Sequence, residues 1–383
     1  MRIVHILNHV QEIGNGIVNI AIDIACLQAK TGHNVAVISS GGEYERLLAD
    51  YGVKHYRLKL ERNPIAIIKA MNAYRGIIEE FEPDIVHAHM MTGVVLASLL
   101  RFGCNYALVS TVHNEFQRNA ILMGWADRVI AVSQAVAESM EKRGINKDKL
   151  LVVSNGIIGS PRTLPMRDNL PVNLQHPAIA TVAGMYKRKG ISELIAAFAK
   201  IAVEFPAAHL YLVGEGPDRK LFEAQAQATN CAERIHFEGF QKQPQRYLVS
   251  TDIFVMASYY ESFGLAIAEA REAGCAIIAS DVDGISQTLD AGEAGILVPP
   301  RDSDTLAATL SKLLSDTDML NNWKKRASLN LEWLSIARVN QETLAVYSQL
   351  IAKINQINEN PDSIYLTESN LTLTNRSEKK RAA

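Results

Sequence analysis

Short apolar segments alternate with helix-like segments twice along this chain, and this alternation constrains the fold more than any other feature. Helical patterns such as Pro64–Phe81 and Ser133–Arg143 separate the strand candidates of the first half. Those candidates are Ile3–Leu7, Val35–Ser39, Ile85–His87, Leu108–Val112, Val129–Val132 and Leu151–Val153. Apolar strands that alternate with helices are typical of a parallel sheet covered on both faces. The sequence therefore predicts a doubly wound α/β domain over residues 1–158.

The alternation stops at a proline-rich segment and then restarts. Residues 159–177 contain Gly159, Pro161, Pro165, Pro171 and Pro177 among polar residues, and we interpret them as a linker. Strands are predicted at Ala178–Ala183, Leu210–Val213, Ile235–Phe237, Ile253–Met256, Ala276–Ala279 and Ile296–Val298. Residues 178–358 thus form a second domain, closed by helical stretches from about Met319 to Asn358, and the polar residues 359–383 are predicted to be a disordered tail. The predicted fold class is α/β, with two Rossmann-like doubly wound domains facing a central cleft.

Composition excludes several classes of partner and location. A chain of 383 residues with 48% hydrophobic and 21% charged residues is long enough for two globular domains. Its formal net charge of −2 gives no reason to propose nucleic acid as a partner. Cys26, Cys104, Cys231 and Cys275 are scattered without a C-x-x-C pair, which indicates a reducing compartment. With neither a signal-peptide pattern nor a window apolar enough to span a bilayer, a cytoplasmic location is expected.

Residues 252–269 carry the most informative chemistry. The predicted strand Ile253–Met256 leads into a polar turn with Glu261, and Ser262 is expected to cap a helix. The first turn of that helix would contain Phe263, Gly264 and Leu265. Free backbone N–H groups and the helix dipole at such a position suit an anion, while Glu269 follows in an apolar run where a carboxylate needs a partner. This arrangement suits a phosphorylated sugar; the alternative is an ordinary cap and a solvated glutamate.

Two further loops follow predicted strands at positions where a phosphate can bind. Gly14, Asn15 and Gly16 lie between the first strand and the first helix, but Asn19 stands where a dinucleotide fingerprint would have its third glycine. Lys187, Arg188 and Lys189 precede Gly190 at the equivalent place in the second domain, where they could neutralise a diphosphate. The alternatives are a tight turn without ligand and a solvated basic loop.

Three histidines and an Asp-x-Asp pattern also follow predicted strands. His87, His89 and His113 are expected at neighbouring strand ends, facing the cleft. Metal binding by the three is poorly supported, because no carboxylate is spaced to complete a ligand set. Asp281-Val282-Asp283 matches a pattern that can hold a divalent metal, but the pattern is common and we interpret it as coincidental.

The helix Pro64–Phe81 has an apolar face with basic residues around it, among them Lys69 and Arg75. Such a helix more often packs on its own sheet. Docking on an anionic bilayer surface, and hence peripheral membrane contact, is the alternative.

Taken in chain order, these segments resemble a family-4 (group 1) glycosyltransferase of the GT-B fold over nearly all of residues 1–355. The matching pieces are Gly14–Gly16, Asp84–His89, Ala126–Ser133, Val153–Gly156, Lys189-Gly190, Leu212–Pro217, Glu261–Leu265, Glu269 and Gly295–Pro299. The resemblance implies a retaining, metal-independent hexosyltransferase that needs no cofactor. It would move a sugar from a nucleotide diphosphate, with UDP favoured, to a glycan or lipid-linked acceptor in envelope or exopolysaccharide synthesis.

The resemblance also implies roles for individual residues. Glu269 would hydrogen-bond the donor ribose. The donor sugar would be bound by Glu261 and by the amides near Phe263, Gly264 and Leu265. Lys189 would balance the negative charge of the diphosphate, and His113 would contact the sugar near the reacting carbon.

Three positions depart from the family pattern. An arginine usually lies where Gly184 stands, which leaves Arg188 or Lys187 to substitute for it. Asp283-Gly284 replaces a frequent Gly-Gly pair, and Ser154 replaces a common proline. Two alternatives stay open at this point: a nucleotide-sugar epimerase on a similar scaffold, and a catalytically silent protein that binds sugar nucleotides.

Overall fold

The computed structural model describes residues 1–59, 64–114 and 118–359, and its strands form two separate parallel sheets. The strands of the first sheet are β1 (Arg2–Ile6), β2 (Asn34–Ser39), β3 (Lys54–Arg57), β4 (Ile85–Ala88), β5 (Ala107–Val112), β6 (Arg128–Ala131) and β7 (Leu150–Val152). Those of the second are β8 (Ala178–Val182), β9 (His209–Val213), β10 (Ile235–Gly239), β11 (Ile253–Met256), β12 (Ala276–Ser280) and β13 (Ile296–Val298). The prediction of two Rossmann-like α/β domains is confirmed.

Helices connect the strands and cover both faces of each sheet. In the first half they are α1 (Gly16–Lys30), α2 (Glu45–Asp50), α3 (Pro64–Phe81), α4 (Met91–Leu99) and α5 (Gln134–Lys142). In the second half they are α6 (Ile191–Ile201), α7 (Arg219–Gln227), α8 (Gln245–Leu248), α9 (Leu265–Glu272), α10 (Ile285–Thr288), α11 (Ser303–Ser315), α12 (Thr317–Ala327) and α13 (Ile336–Glu359). No helix in the described ranges combines the length and the apolar character that crossing a bilayer demands.

The first six strands of each sheet have the same order, and this order determines where a ligand can bind. The first runs β3-β2-β1-β4-β5-β6-β7, and the second runs β10-β9-β8-β11-β12-β13. In each sheet the order reverses direction beside its first strand, between β1 and β4 and between β8 and β11. Connections leave such neighbouring strands toward opposite faces, so a crevice opens at their carboxyl ends.

Alternation along the strands builds two cores on the first sheet, because successive side chains point to opposite faces. One face buries Val4, Val86 and Leu108 against Ala70, Tyr74 and Ile78 of α3. The other buries Ile3, Ile85 and Val109 against Ile20 and Ile24 of α1. The register pairs Ile3 with Ile85 and His5 with His87, so the second face continues from an apolar layer into a layer of histidines.

The last helix closes the first sheet rather than the second, where the sequence assigned it. Ile336, Val339, Val346 and Tyr347 of α13 belong to the same core as Ile3 and Ile20. The chain therefore crosses back to the first domain after α12. Periodicity identifies the apolar face of a helix, but it does not identify the sheet that covers that face. The predicted tail lies outside the described residues from position 360 onward.

Candidate active site

Four loops that carry predicted site residues leave strands beside the two switch points. The loop after β1 leads to Gly14, Asn15 and Gly16, and His89 follows β4 directly. In the second domain the loop after β8 carries Lys189, and the loop after β11 carries Glu261. Strand order thus brings segments that are distant in sequence to the edges where α/β sheets bind ligands.

The basic loop is held against the loop after β11 by a glycine in the left-handed conformation. Gly190 has φ of 65°, and a Cβ there would lie 1.8 Å from the Ala257 carbonyl oxygen. The Tyr259 backbone N–H donates to the Arg188 carbonyl oxygen at 2.8 Å. Only glycine permits this close approach with that backbone conformation, and the approach brings Lys189 to the acidic turn.

Lys189 and Glu261, which the sequence predicted separately, form an ion pair. Lys189 Nζ donates to Glu261 Oε2, and the two side chains are 14% and 15% exposed. A charged pair with so little solvent is held in one geometry and is screened less by salt than a surface pair. The pair therefore supplies a fixed positive and a fixed negative group side by side.

The glycine at position 184 makes room for an aromatic ring. A Cβ at Gly184 would lie 2.9 Å from the Tyr186 ring, and the Arg188 guanidinium lies 5.5 Å from the centre of that ring. A cation at this distance from an aromatic face is attracted to it. Arg188 thus lies over the Tyr186 ring, from a backbone position four residues after Gly184.

The helix after the acidic turn begins at Leu265, so the prediction that Ser262 caps it is wrong. Gly264 occupies the N-cap with φ of 88°, a conformation that favours glycine. The Phe263 ring is buried against Trp333 at a centroid distance of 6.0 Å. Phe263 can therefore offer a ligand its backbone but not its side chain.

Two buried hydroxyls lie in this turn without a hydrogen-bond partner among the described residues. They are Ser258 Oγ, on a fully buried residue, and Ser262 Oγ, on a residue that is 5% exposed. An unsatisfied buried polar group costs about 1–3 kcal/mol, and most native proteins satisfy such groups with protein, water or ligand. Ser258 could not be predicted from the sequence, because a serine after a strand carries no distinctive pattern.

Asp283 accepts a backbone hydrogen bond from the acidic turn. The Glu261 backbone N–H donates to Asp283 Oδ2 at 3.2 Å, and the Gly284 N–H donates to the Glu261 carbonyl oxygen at 3.0 Å. A Cβ at Gly284 would lie 2.1 Å from the Ser262 carbonyl oxygen. Asp283-Gly284 therefore holds the backbone of Glu261, which gives this departure from the family pattern a structural reason.

Glu269 is half-buried on α9 and faces a hydrogen-bond donor. Gln245 Nε2 donates to Glu269 Oε1 at 2.8 Å. Burial raises the pKa of the Glu269 carboxyl, and the nearby Arg162 guanidinium opposes that rise. Gln245 and Arg162 both line a cleft of about 790 Å³ that also includes Phe240 and Tyr247. Gln245 and Arg162 could not be predicted from the sequence, because each becomes relevant only through its neighbours in space.

The glycine loop of the first domain contacts the second domain at the start of α9. A Cβ on Gly16 would lie 3.1 Å from Leu265 Cδ1, and one on Gly14 would lie 3.5 Å from the Phe240 ring. Asn15 Oδ1 accepts from the Ile17 backbone N–H at 3.1 Å and caps α1. The Asn15 side chain thus has a structural partner, while the two glycines allow the domains to approach.

His113 is half-buried and hydrogen-bonded to a second histidine. His113 Nε2 and His89 Nδ1 lie 3.1 Å apart. Burial lowers the pKa of His113 to about 3, so its imidazole is neutral at physiological pH.

His5, His87 and His89 have ligand atoms within 4.8 Å of one another, whereas the sequence grouped His87, His89 and His113. Every ring nitrogen of the three has a protein partner within hydrogen-bonding distance. His87 faces Tyr347 Oη at 2.5 Å and Thr111 Oγ1 at 2.7 Å, while His5 and His89 contact each other. A metal ion would have to break these contacts. His5 was not among the predicted site residues, because a histidine inside an apolar strand is more often structural.

These observations define the class of the protein. Two facing Rossmann-like domains, with an acidic and a basic group on the loops that follow the switch-point strands β8 and β11, are typical of a GT-B glycosyltransferase. Residues 14–158 match the model described as Glycosyltransferase Family 4, and residues 165–329 match that described as Glycosyl transferases group 1. The chain belongs to the family-4 (group 1) glycosyltransferases.

Individual proteins agree with this membership. The chain is 25% identical over 368 residues to a phosphatidyl-myo-inositol mannosyltransferase of Mycolicibacterium smegmatis. The aligned region covers 91% of this chain and 93% of that protein. It is 23% identical to an N,N'-diacetylbacillosaminyl-diphospho-undecaprenol alpha-1,3-N-acetylgalactosaminyltransferase of Campylobacter jejuni, with coverage of 84% and 92%. The fold is similar to Anabaena Alr3699/HepE in complex with UDP and glucose, with a TM-score of 0.76, 20% identity and coverage of 91% and 99%.

Proposed function

We propose that this glycosyltransferase binds a nucleotide-diphosphate sugar between its domains and transfers the sugar with retention of anomeric configuration, without a metal ion. The observation that carries the proposal is the Lys189–Glu261 pair at the start of α9, beside two buried hydroxyls that lack a partner within the described residues. A helix N-terminus with a fixed cation nearby suits a diphosphate. A carboxylate beside it suits the hydroxyls of a sugar.

The chemistry of the bond explains this arrangement. When the bond between sugar and phosphate breaks, negative charge develops on the leaving diphosphate. Lys189 and the N–H groups near Gly264 and Leu265 stabilise that charge more in the transition state than in the ground state. Arg188, whose guanidinium lies over the Tyr186 ring, adds a second cation from the same loop.

The two remaining groups hold the ends of the donor. Glu269, with Gln245, hydrogen-bonds the ribose. His113 contacts the sugar from the opposite domain, so the donor is held from both sides and water is excluded when the domains meet. Gly16 closely approaches Leu265 at the start of α9, where we place the diphosphate, so the two domains meet at this position.

We propose a UDP-sugar as donor, because the similar Anabaena protein was solved with UDP and glucose. A lipid-linked or glycan acceptor in cell-envelope or exopolysaccharide synthesis is proposed from the two curated relatives, one of which is a phosphatidyl-inositol mannosyltransferase.

Such an acceptor would favour peripheral contact with the inner face of a membrane. Helix α3 supplies a candidate surface, since Ile67 and Ile68 are 46% and 59% exposed and Lys69 and Arg75 are exposed beside them. Exposed apolar residues among basic ones suit an anionic bilayer.

A thermal-shift screen against UDP-, GDP- and ADP-sugars tests the proposal. We expect at least one donor to raise the melting temperature, because a ligand that binds only the native state stabilises it. The variant Glu269→Gln should lose most of the shift while remaining folded. Glu272→Gln is the matched control: Glu272 lies on the same helix, and burial also raises its carboxyl pKa, but it has no proposed role. The absence of a shift with every nucleotide would contradict the proposal.

A further inference from the structure

The first domain contains a chain of hydrogen-bonded side chains that ends at His113. Gln28 Oε1 lies 2.8 Å from His5 Nε2, and His5 Nδ1 lies 3.0 Å from His89 Nε2. His89 Nδ1 in turn lies 3.1 Å from His113 Nε2. Gln28, His5 and His89 are at most 2% exposed, so water does not interrupt the chain.

Strand geometry explains why these residues meet. Side chains two positions apart share a face of a sheet, so His87 and His89 lie on the same face, as do Thr111 and His113. The register places His5 directly opposite His87. Gln28 projects onto this face from α1, which also covers the apolar part of the face through Ile20 and Ile24.

His5, His89 and His113 are neutral at physiological pH, because burial disfavours the imidazolium. Burial lowers the pKa of His5 to about 4 and that of His113 to about 3, and it holds the pKa of His89 well below the ordinary value. A neutral imidazole carries one N–H and one bare nitrogen. Each ring in the chain can therefore donate in one direction only.

The glutamine sets that direction. With its amide oxygen toward His5, Gln28 can only accept, so His5 carries its proton on Nε2 and accepts at Nδ1. His89 then donates from Nε2 to His5 and accepts at Nδ1, and His113 donates from Nε2 to His89. The reverse orientation of the Gln28 amide would reverse every donor in the chain.

We propose that Gln28, His5 and His89 are positioning residues that fix His113 as the Nε2–H tautomer. His113 Nδ1 is then left as a hydrogen-bond acceptor for a hydroxyl group of the donor sugar. Within residues 1–59, 64–114 and 118–359, no group hydrogen-bonds His113 Nδ1. The inference rests on the proposed function only for the identity of the hydroxyl; the tautomer is a property of the free protein.

Nuclear magnetic resonance of the full-length protein labelled with ¹⁵N-histidine tests the tautomer directly. Two-bond and three-bond ¹H–¹⁵N correlations show which ring nitrogen carries the proton, and single His→Gln variants assign the signals. We expect Nε2–H for His5, His89 and His113 without ligand. A protonated Nδ1 on His113 in the wild-type protein would overturn the proposal, whatever any variant does.

The variant Gln28→Met tests what sets the tautomer. Methionine fills a similar volume but provides no amide oxygen, so we expect His113 to become a mixture of tautomers and kcat/KM to fall roughly tenfold, mainly through kcat. Thr111→Val is the matched control. It removes a buried hydrogen bond to His87, which is not one of the hydrogen-bonded side chains that lead to His113. It should leave His113 as the Nε2–H tautomer. Retention of a pure Nε2–H tautomer by folded Gln28→Met would contradict the role of Gln28.

Titration of the labelled protein with the UDP-sugar that gives the largest thermal shift separates this inference from the proposed function. A change in the His113 Nδ1 signal with an unchanged tautomer is the expected result. Binding of the donor without any change at Nδ1 would overturn the acceptor role while leaving the proposed function intact. If no nucleotide sugar binds, the proposed function fails, and the wild-type tautomer still decides whether the chain fixes His113.

Discussion

At the scale of single residues, the sequence identifies Lys189 and Glu261 but not the contact between them. Each residue lies in a recognisable loop, yet the two are separated by 72 positions and meet only because β8 and β11 are neighbours. His5 and Gln28 escape prediction for the same reason. A histidine inside a strand and a glutamine inside a helix form no local sequence pattern. Their contacts with other site residues can be recognised only when the strand register is known.

Replacement of Lys189 by methionine should reduce the rate of sugar transfer by about 10²–10³-fold, because one fixed group that stabilises the leaving diphosphate is lost. Release of UDP from the donor measures this rate. The substitution also leaves Glu261 without its partner in a largely buried position, so the melting temperature should fall as well.

Lys187→Met is the control for this experiment. Lys187 is exposed in the same loop, and its replacement should leave the rate within about twofold of the wild type. Equal losses in both variants would indicate a general effect of charge in the loop rather than a specific role for Lys189.

At the scale of elements, prediction succeeds where a segment is apolar and continuous and fails where it is not. Strands such as β11 and β13 have the predicted bounds. Strand β3 was not predicted, because an edge strand with Lys54, His55 and Arg57 lacks a buried apolar run. Helix α4 was not predicted either, because its residues are apolar on all sides and show no helical period.

Helix α3 is the surface through which we expect the protein to bind an anionic membrane. We expect the full-length protein to co-sediment with vesicles of anionic phosphatidylglycerol and not with vesicles of neutral phosphatidylcholine. The double variant Lys69→Glu/Arg75→Glu should weaken this binding at least about tenfold, because each basic residue near an anionic surface contributes about 1 kcal/mol. Sedimentation at a series of lipid concentrations gives the affinity.

The control reverses two exposed lysines of the second domain, Lys312 and Lys325, and should leave binding unchanged. If both double variants weaken binding to the same extent, the attraction follows net charge and α3 is not the contact surface.

At the scale of the whole molecule, two connections tie the halves of the chain together. Helix α13 returns from the second half to the core of the first sheet. Arg162, in the segment between the sheets, pairs with Asp23 of α1, with Nε and Oδ1 2.8 Å apart and both side chains buried. The linker was predicted from its prolines, whereas these connections were not, because both depend on contacts between segments more than a hundred residues apart.

Amide hydrogen exchange shows whether the donor binds between the domains at the start of α9. Exchange is measured with and without the nucleotide sugar that gives the largest thermal shift. We expect slower exchange in residues 184–191 and 258–266, where the proposed diphosphate contacts lie, with smaller changes elsewhere in the second domain. Protection confined to other segments, with these two unchanged at saturating ligand, would show that the donor does not bind at the start of α9.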